Sequence, residues 1–132
     1  MPYVPLKDGK HLYVRVIGKG KPCVMLHGFA MNSLHWLTAI LPLCRQYQFI
    51  MPDFRGFGES RHLNPTQSDV VAHFASDTED VIEWVGQDVA LVGISMGAMT
   101  ALRYNELYQF KGVTRYLHID QSPRIMLSLI HI

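Results

Sequence analysis

Val89-Ala90-Leu91-Val92-Gly93-Ile94-Ser95-Met96-Gly97-Ala98 is the stretch on which the fold turns. Four apolar residues in a row read as a strand covered on both faces. They run into a glycine-flanked serine, and a helix-forming segment follows to about Tyr108. A nucleophilic serine at such a place must sit on a sharp, strained turn that holds its hydroxyl clear of the backbone. A Cβ two residues to either side would strike the neighbouring chain, which favours glycine at 93 and 97. Ala98 is small as well and lets the helix pack closely. The turn also puts Ser95 at a helix N-terminus, where free N–H groups and the helix dipole favour developing negative charge. Taken alone, G-x-S-x-G is a weak signal, because an ordinary strand–helix turn uses the same residues.

Outward from this turn, strand and helix patterns alternate, which argues for an α/β fold with a parallel sheet between helices. Asp8-Gly9 signals a tight turn, and His11 to Ile17 alternates like a strand with one wet face. Cys23-Val24-Met25-Leu26 is a second continuous apolar run. Residues 33–46 read as a helix with Trp36, Leu37, Ile40 and Leu41 on one side, bent or ended by Pro42. Gln48-Phe49-Ile50-Met51 reads as a strand. Residues 69–85 carry the clearest helical period, with Val70, Val71, Phe74, Val81, Ile82 and Val85 on one face and Gly86 as the stop. Asp77, Glu79, Asp80 and Glu83 fall mostly on the opposite face and are expected to be solvated. Tyr116 to Ile119 is the last strand candidate. The expected order is β-β-α-β-α-β-α-β, with functional loops at the ends of the parallel strands.

Two further motifs follow strands. His27-Gly28-Phe29 follows the run at 23–26, and Asp53-Phe54-Arg55-Gly56-Phe57-Gly58-Glu59-Ser60 follows the strand at 48–51. Together with Gly93-x-Ser95-x-Gly97, in this order, they resemble the α/β-hydrolase superfamily over nearly all of residues 5–123. The resemblance implies that Ser95 is the nucleophile and that the backbone N–H groups of Phe29 and Met96 form the oxyanion hole. Donors fixed in a dry site stabilise a tetrahedral intermediate, and losing one costs roughly a hundred- to thousandfold in rate. The side chains at 29 and 96 are then free to shape an acyl pocket, whereas Met99 reads as core. His27 and Gly28 are structural in the family, and Asp53, Arg55, Gly56 and Gly58 are expected to pin their loop. Asp120, just after the last strand, matches a position that some relatives use for the triad acid, and it is also common as a structural residue. The other histidines are scattered without metal-ligand spacing and read as surface or packing residues.

The resemblance also implies a sheet order like 1-2-4-3-5-6-7-8 and about twice this length. The present sequence ends just beyond strand 6, so an α/β-hydrolase fold truncated there is expected, without the usual acid and without the histidine that serves as base. A serine hydroxyl without a base is a poor nucleophile, and the chain as given is expected to be nearly inactive. Residues 1–126 are read as the N-terminal part of a single domain. Residues 127–132 are read as a non-native tail. The transposase-end adapter CTGTCTCTTATACACATCT of sequencing libraries translates in its first frame to Leu-Ser-Leu-Ile-His-Ile, which is that hexapeptide.

The function implied is hydrolysis of a small carboxylic ester or related acyl substrate through an acyl-enzyme, with no cofactor and no metal. Ser95 argues against the haloalkane dehalogenases and epoxide hydrolases of this fold, which place an aspartate there. Cofactor-free perhydrolases (haloperoxidase-like enzymes), carbon–carbon hydrolases and iminopeptidases fit the motifs equally, and so does a ligand receptor of the same fold. Composition is that of a globular protein, with 48% hydrophobic and 17% charged residues and a formal charge of +1 over 132 residues. Nothing in that balance points to nucleic acid or a membrane surface. No apolar run approaches the ~20 residues of a membrane span, and the N-terminus lacks a signal-peptide pattern. The cytoplasm is the expected location, with Cys23 and Cys44 as buried reduced thiols.

Overall fold

The computed structural model describes residues 2–65 and 68–119. Asp120 and residues 121–132 therefore lie outside the described residues, as do the readings made of them. Six strands form one sheet in the order β1-β2-β4-β3-β5-β6. They are β1 (Tyr3–Pro5), β2 (His11–Gly18), β3 (Lys21–Leu26), β4 (Tyr47–Pro52), β5 (Val89–Ile94) and β6 (Val113–Ile119). β2 runs antiparallel to β1 and to β4, whereas β4, β3, β5 and β6 are parallel. This is the expected α/β-hydrolase order through its sixth strand. β1 was not expected, because the three residues Tyr3–Pro5 are too few to show a period. The turn at Asp8-Gly9 closes the β1–β2 hairpin, with Gly9 at φ 85°.

The period of two along the strands separates two apolar layers. Val24, Leu26, Ile50 and Leu91 face α2 (Val70–Val85) and α3 (Met96–Tyr108), where they meet Phe74, Val81, Ala101 and Tyr104. Cys23, Met25, Phe49, Met51 and Val92 face the other way, onto Trp36 and Ile40. Both layers are needed, which is why β3 and β5 read as unbroken apolar runs.

Three expectations are corrected. Residues 33–46 do not make one helix. They form a 3-10 turn at Ser33–Trp36, a single α-helical turn α1 (Leu37–Ile40) and a second 3-10 turn at Leu41–Leu43. Pro42 has no N–H to continue an α ladder, and tightening to i→i+3 rotates successive side chains by a different angle. Trp36 and Ile40 are buried as expected, while Leu41 faces solvent at 58% exposure. Met99 is not core either, being 58% exposed on α3.

The third correction concerns α2. Its caps follow the sequence reading: Asp69 accepts from Ala72 N–H at the N-cap, and Gly86 closes the other end at φ 78°. Its acidic face is not solvated, however. Asp77, Glu79 and Asp80 are buried, and only Glu83 is exposed. The β1–β2 turn lies across them. Lys7 donates its backbone N–H to Asp80 Oδ2 at 2.9 Å, and its Nζ reaches Asp80 Oδ1 at 2.7 Å and Glu79 Oε1 at 2.8 Å. A helical wheel shows which residues share a face, but not that a distant hairpin will cover the polar one.

Candidate active site

Ser95 occupies the turn between β5 and α3 with φ 53° and ψ −115°, a conformation that L-residues rarely adopt. It is the N-cap residue of α3, a position where serine normally turns its Oγ back onto the helix. Here the side chain makes no capping hydrogen bond. The first N–H groups of α3 are thus left without a side-chain cap. Ser95 is half-buried.

The flanking glycines are required by contact. A Cβ on Gly97 would overlap the carbonyl oxygen of Leu26 and come within 2.8 Å of that of His27. A Cβ on Gly93 would lie 2.7 Å from Gly97 O and 2.8 Å from Ala98 N. Real Cβ atoms do not make contacts this short with backbone, so α3 can start against the end of β3 only with glycine at both positions. β3 and β5 are paired neighbours with Leu26 opposite Gly93, which brings the loop after β3 to the serine. A Cβ on Gly28 would lie 3.2 Å from Ser95 Cβ. The Gly28–Phe29 peptide thus stands beside the serine.

That loop turns sharply. Met31 N–H donates to Gly28 O at 3.1 Å, and Ala30 takes φ 60°. Phe29 projects outward, 72% exposed, with its ring edge-on to Phe57 at 5.9 Å. Met96, at the first position of α3, is half-buried and packs against the α2–α3 layer. Phe29 follows the Gly28 peptide and Met96 follows Ser95 directly in the chain, and the side chain of Phe29 faces solvent.

His27 is fully buried, its ring between Phe54 at 4.8 Å and Phe57 at 5.4 Å. Its Nδ1 lies 2.8 Å from Gly28 O, and its Nε2 accepts from Phe54 N–H at 3.0 Å. Burial pushes its pKa below the ordinary histidine value, against a weaker upward pull from the Gly28 carbonyl and Asp53. Both ring nitrogens are engaged, and neither is available to Ser95.

Asp53, also buried, joins two loops: Oδ1 accepts from Ser33 N–H at 2.6 Å and Oδ2 from Glu59 N–H at 2.9 Å. Gly56 and Gly58 provide positive φ, 86° and 52°, for the tight path between them. Ser60 Oγ accepts from Tyr13 N–H at 3.0 Å and ties the end of this loop to β2. Arg55 reaches beyond its own loop, to Asp77 on α2 and Asp8 in the β1–β2 turn. Those two carboxylates were not singled out from sequence as partners of Arg55. Nothing local marks them, since each is far from Arg55 along the chain.

Among the described residues no histidine is hydrogen-bonded to Ser95, and no group of three or more His, Cys, Asp or Glu side chains could hold a metal ion. An apolar groove of about 490 Å³ lies on the opposite, Trp36 face of the sheet, and Ser95 is not among its walls. No helix among the described residues is long and apolar enough to cross a membrane.

An open, mostly parallel sheet with a strained serine at the mouth of a β–α turn defines a class of α/β proteins. Comparison with known proteins gives the family. A sequence model described as "Alpha/beta hydrolase family" matches residues 23–127, and the chain belongs to this family. It is 30% identical to a non-heme haloperoxidase of Rhodococcus erythropolis over 97% of this chain and 47% of that protein. It is 29% identical to a soluble epoxide hydrolase of Corynebacterium sp., over 74% of this chain and 34% of that protein. Among solved structures, an esterase from Exiguobacterium antarcticum superposes with a TM-score of 0.81 at 32% identity, over 92% of this chain and 46% of that one. The chain spans about half the length of the curated relatives it matches.

Proposed function

We propose that Ser95 is the nucleophile of a serine hydrolase that cleaves small carboxylic esters or related acyl compounds when this chain is joined to the downstream half its relatives carry. The observation that carries this reading is the Ser95 turn: a serine at a helix N-cap, strained to φ 53° and making no cap bond. A serine placed there for stability would cap α3. This one leaves both its hydroxyl and the helix N–H groups open, at a cost in backbone strain that a simple turn would not bear.

In the reaction, Ser95 Oγ bonds to the acyl carbon as its proton passes to a base. The carbonyl π electrons move onto oxygen, which the N–H groups of Phe29 and Met96 receive. The tetrahedral adduct collapses by breaking the bond to the leaving group, which departs as an alcohol with the proton from the base. Water then repeats the sequence on the acyl-enzyme, releasing the acid and restoring Ser95. His27 cannot serve as the base, because both its nitrogens are bonded within the fold. The base is assigned to a histidine of that downstream half, beyond the described residues. Asp120, also outside them, remains a candidate acid.

The epoxide hydrolase relative does not carry over well, since the position of the nucleophile is serine here. The haloperoxidase relative favours one second reading, a cofactor-free perhydrolase in which peroxide replaces water in deacylation and yields a peracid. The complete protein tests both. A fluorophosphonate probe should label Ser95, and Ser95→Ala should abolish labelling and p-nitrophenyl ester turnover. Peroxide-dependent halide oxidation in the presence of acetate would select the second reading. Full turnover by Ser95→Ala would overturn both.

A further inference from the structure

We infer that Met99 selects the substrate of the Ser95 site: its side chain, on the open face of α3 one turn past the serine, receives an apolar chain of the ester. The inference rests on the proposed function, in which Ser95 is the nucleophile, and adds the class of ester to it.

α3 starts directly after Ser95, and its inner face is complete without Met99. Gly97, Ala98, Thr100, Ala101 and Tyr104 are the buried positions, at helical spacing. The outer face of a surface helix is ordinarily polar. On α3 the two outer positions nearest the serine are instead Met99 and Leu102, 58% and 40% exposed, with the exposed polar residues Asn105 and Glu106 only further along. One exposed apolar side chain is ordinary on a surface. What counts here is the place of these two.

Helix geometry turns Met99 toward the serine. Its N–H donates to Ser95 O at 3.0 Å, which closes the first turn of α3. Each Cα–Cβ bond of a helix tilts toward the N-terminus, so a long side chain covers the turn before its own Cα. For Met99 that turn begins at Ser95. Leu102, three residues on, continues the same face. Met96 packs into the α2–α3 layer, whereas Met99 belongs to neither apolar layer of the described residues. Its thioether is left to another partner.

The helix under Met99 is fixed. Gly93 and Gly97 let the start of α3 sit against the strand ends. Thr100 Oγ1 donates to Met96 O at 3.0 Å, and Arg103 donates to Asp69 Oδ2 at 2.9 Å, which ties α3 to the N-cap of α2. Methionine itself is unbranched and polarisable, and it fits its shape to different apolar partners. An adaptable apolar side chain on a rigid helix beside the nucleophile suits alkyl chains of several lengths.

Two ester series test this in the complete protein: p-nitrophenyl esters from acetate to hexanoate, and alkyl acetates from methyl to pentyl, followed by acid release. In one series or both, wild-type kcat/KM is expected to rise by about tenfold or more with chain length, since each methylene taken out of water is worth about fourfold. The series that rises shows whether the acyl or the alkoxy chain lies on Met99. Met99→Gln keeps the length of the side chain but carries an amide, and should cut that long-to-short ratio by about fivefold or more. Met99→Leu, a volume-conserving swap, should keep it within about twofold. Damage to the fold would instead lower long and short esters together. Should Met99→Gln not fold, Met99→Lys carries the same expectation. A flat wild-type profile in both series, or an unchanged ratio in the polar variants, overturns the inference. Ser95→Ala separates the two levels. If that variant is dead while Met99→Gln and Met99→Lys keep the wild-type ratio, the inference falls and the proposed function stands. If it is fully active, both fall.

Discussion

Arg55 and Asp77 are 22 residues apart and form a buried, two-bond ion pair, Nε to Oδ2 at 2.6 Å and Nη2 to Oδ1 at 3.0 Å. Asp8 Oδ2 approaches the same Nη2 at 2.8 Å from a partly exposed position. The guanidinium thus locks the loop after β4 to α2 and to the β1–β2 turn. Burial by itself would pull Arg55 toward deprotonation, but its bonds to Asp77 and Asp8 outweigh this and hold it charged.

Removing one member of such a pair strands a charge out of water. Asp77→Ala is expected to cost about 3–5 kcal/mol of folding stability, the range for a broken buried pair. Asp8→Ala should cost less than about 1 kcal/mol, because Asp8 is partly solvated. Urea denaturation of the two variants checks the ranking, and equal losses would show that Arg55 does not depend on Asp77.

Gly97 answers to a different constraint. A Cβ there meets carbonyl oxygens at the end of β3, which cannot move without opening the β3–β5 pairing. Gly97→Ala is expected to destabilise the fold by about 1–3 kcal/mol, the usual cost of overpacking. In the complete protein it should also slow fluorophosphonate labelling of Ser95 at least tenfold. Labelling at the wild-type rate would mean that the turn tolerates the methyl group.

The two cysteines are both free, and they should differ in reactivity. Cys23 is buried in β3, and burial pushes its thiol pKa up to about 11. Cys44, expected to be buried, is only half-buried, with its Sγ–H directed at Leu41 O. At pH 8 in native buffer, one equivalent of a disulfide reagent should react quickly, at Cys44. Cys23 should react only on unfolding, because the thiolate is the reacting form. Peptide mapping after alkylation identifies the site, and rapid modification of Cys23 would contradict its burial.

His27 makes stability depend on pH with a definite sign. Its pKa is lower folded than unfolded, so the unfolded chain binds its proton first as pH falls. The stability the neutral ring contributes is fully present above the ordinary histidine value of about 6.5 and declines as pH drops from there toward the lower folded value. Asp8, also held below its ordinary range, acts in the same direction but only nearer pH 4. Between pH 7.5 and pH 5, wild type should therefore lose more stability than His27→Asn, as read from urea midpoints at each pH. Parallel curves would show that the ring titrates normally.

The sequence alone determined the features that depend on near neighbours. The apolar runs at 23–26 and 89–92, the glycine-flanked serine, the Asp69 and Gly86 caps and the end of α3 at Tyr108 are set by steric limits and side-chain periods within a few residues. The order of motifs after successive strands was enough to place them at one end of a parallel sheet. Other features waited on tertiary structure, because their partners come from far along the chain. Lys7 meets Asp80 across 73 residues and Phe54 meets His27 across 27, so the burial of the acidic face of α2 and the tautomer of His27 follow only from the sheet order. The broken helix at 33–43 is a local matter in part, through Pro42. Its final form was decided by Trp36 and Ile40 packing on the sheet while Asn32 and Asp53 held its first turn. Local sterics can be read one residue at a time, whereas burial and pairing depend on what the crossovers bring alongside.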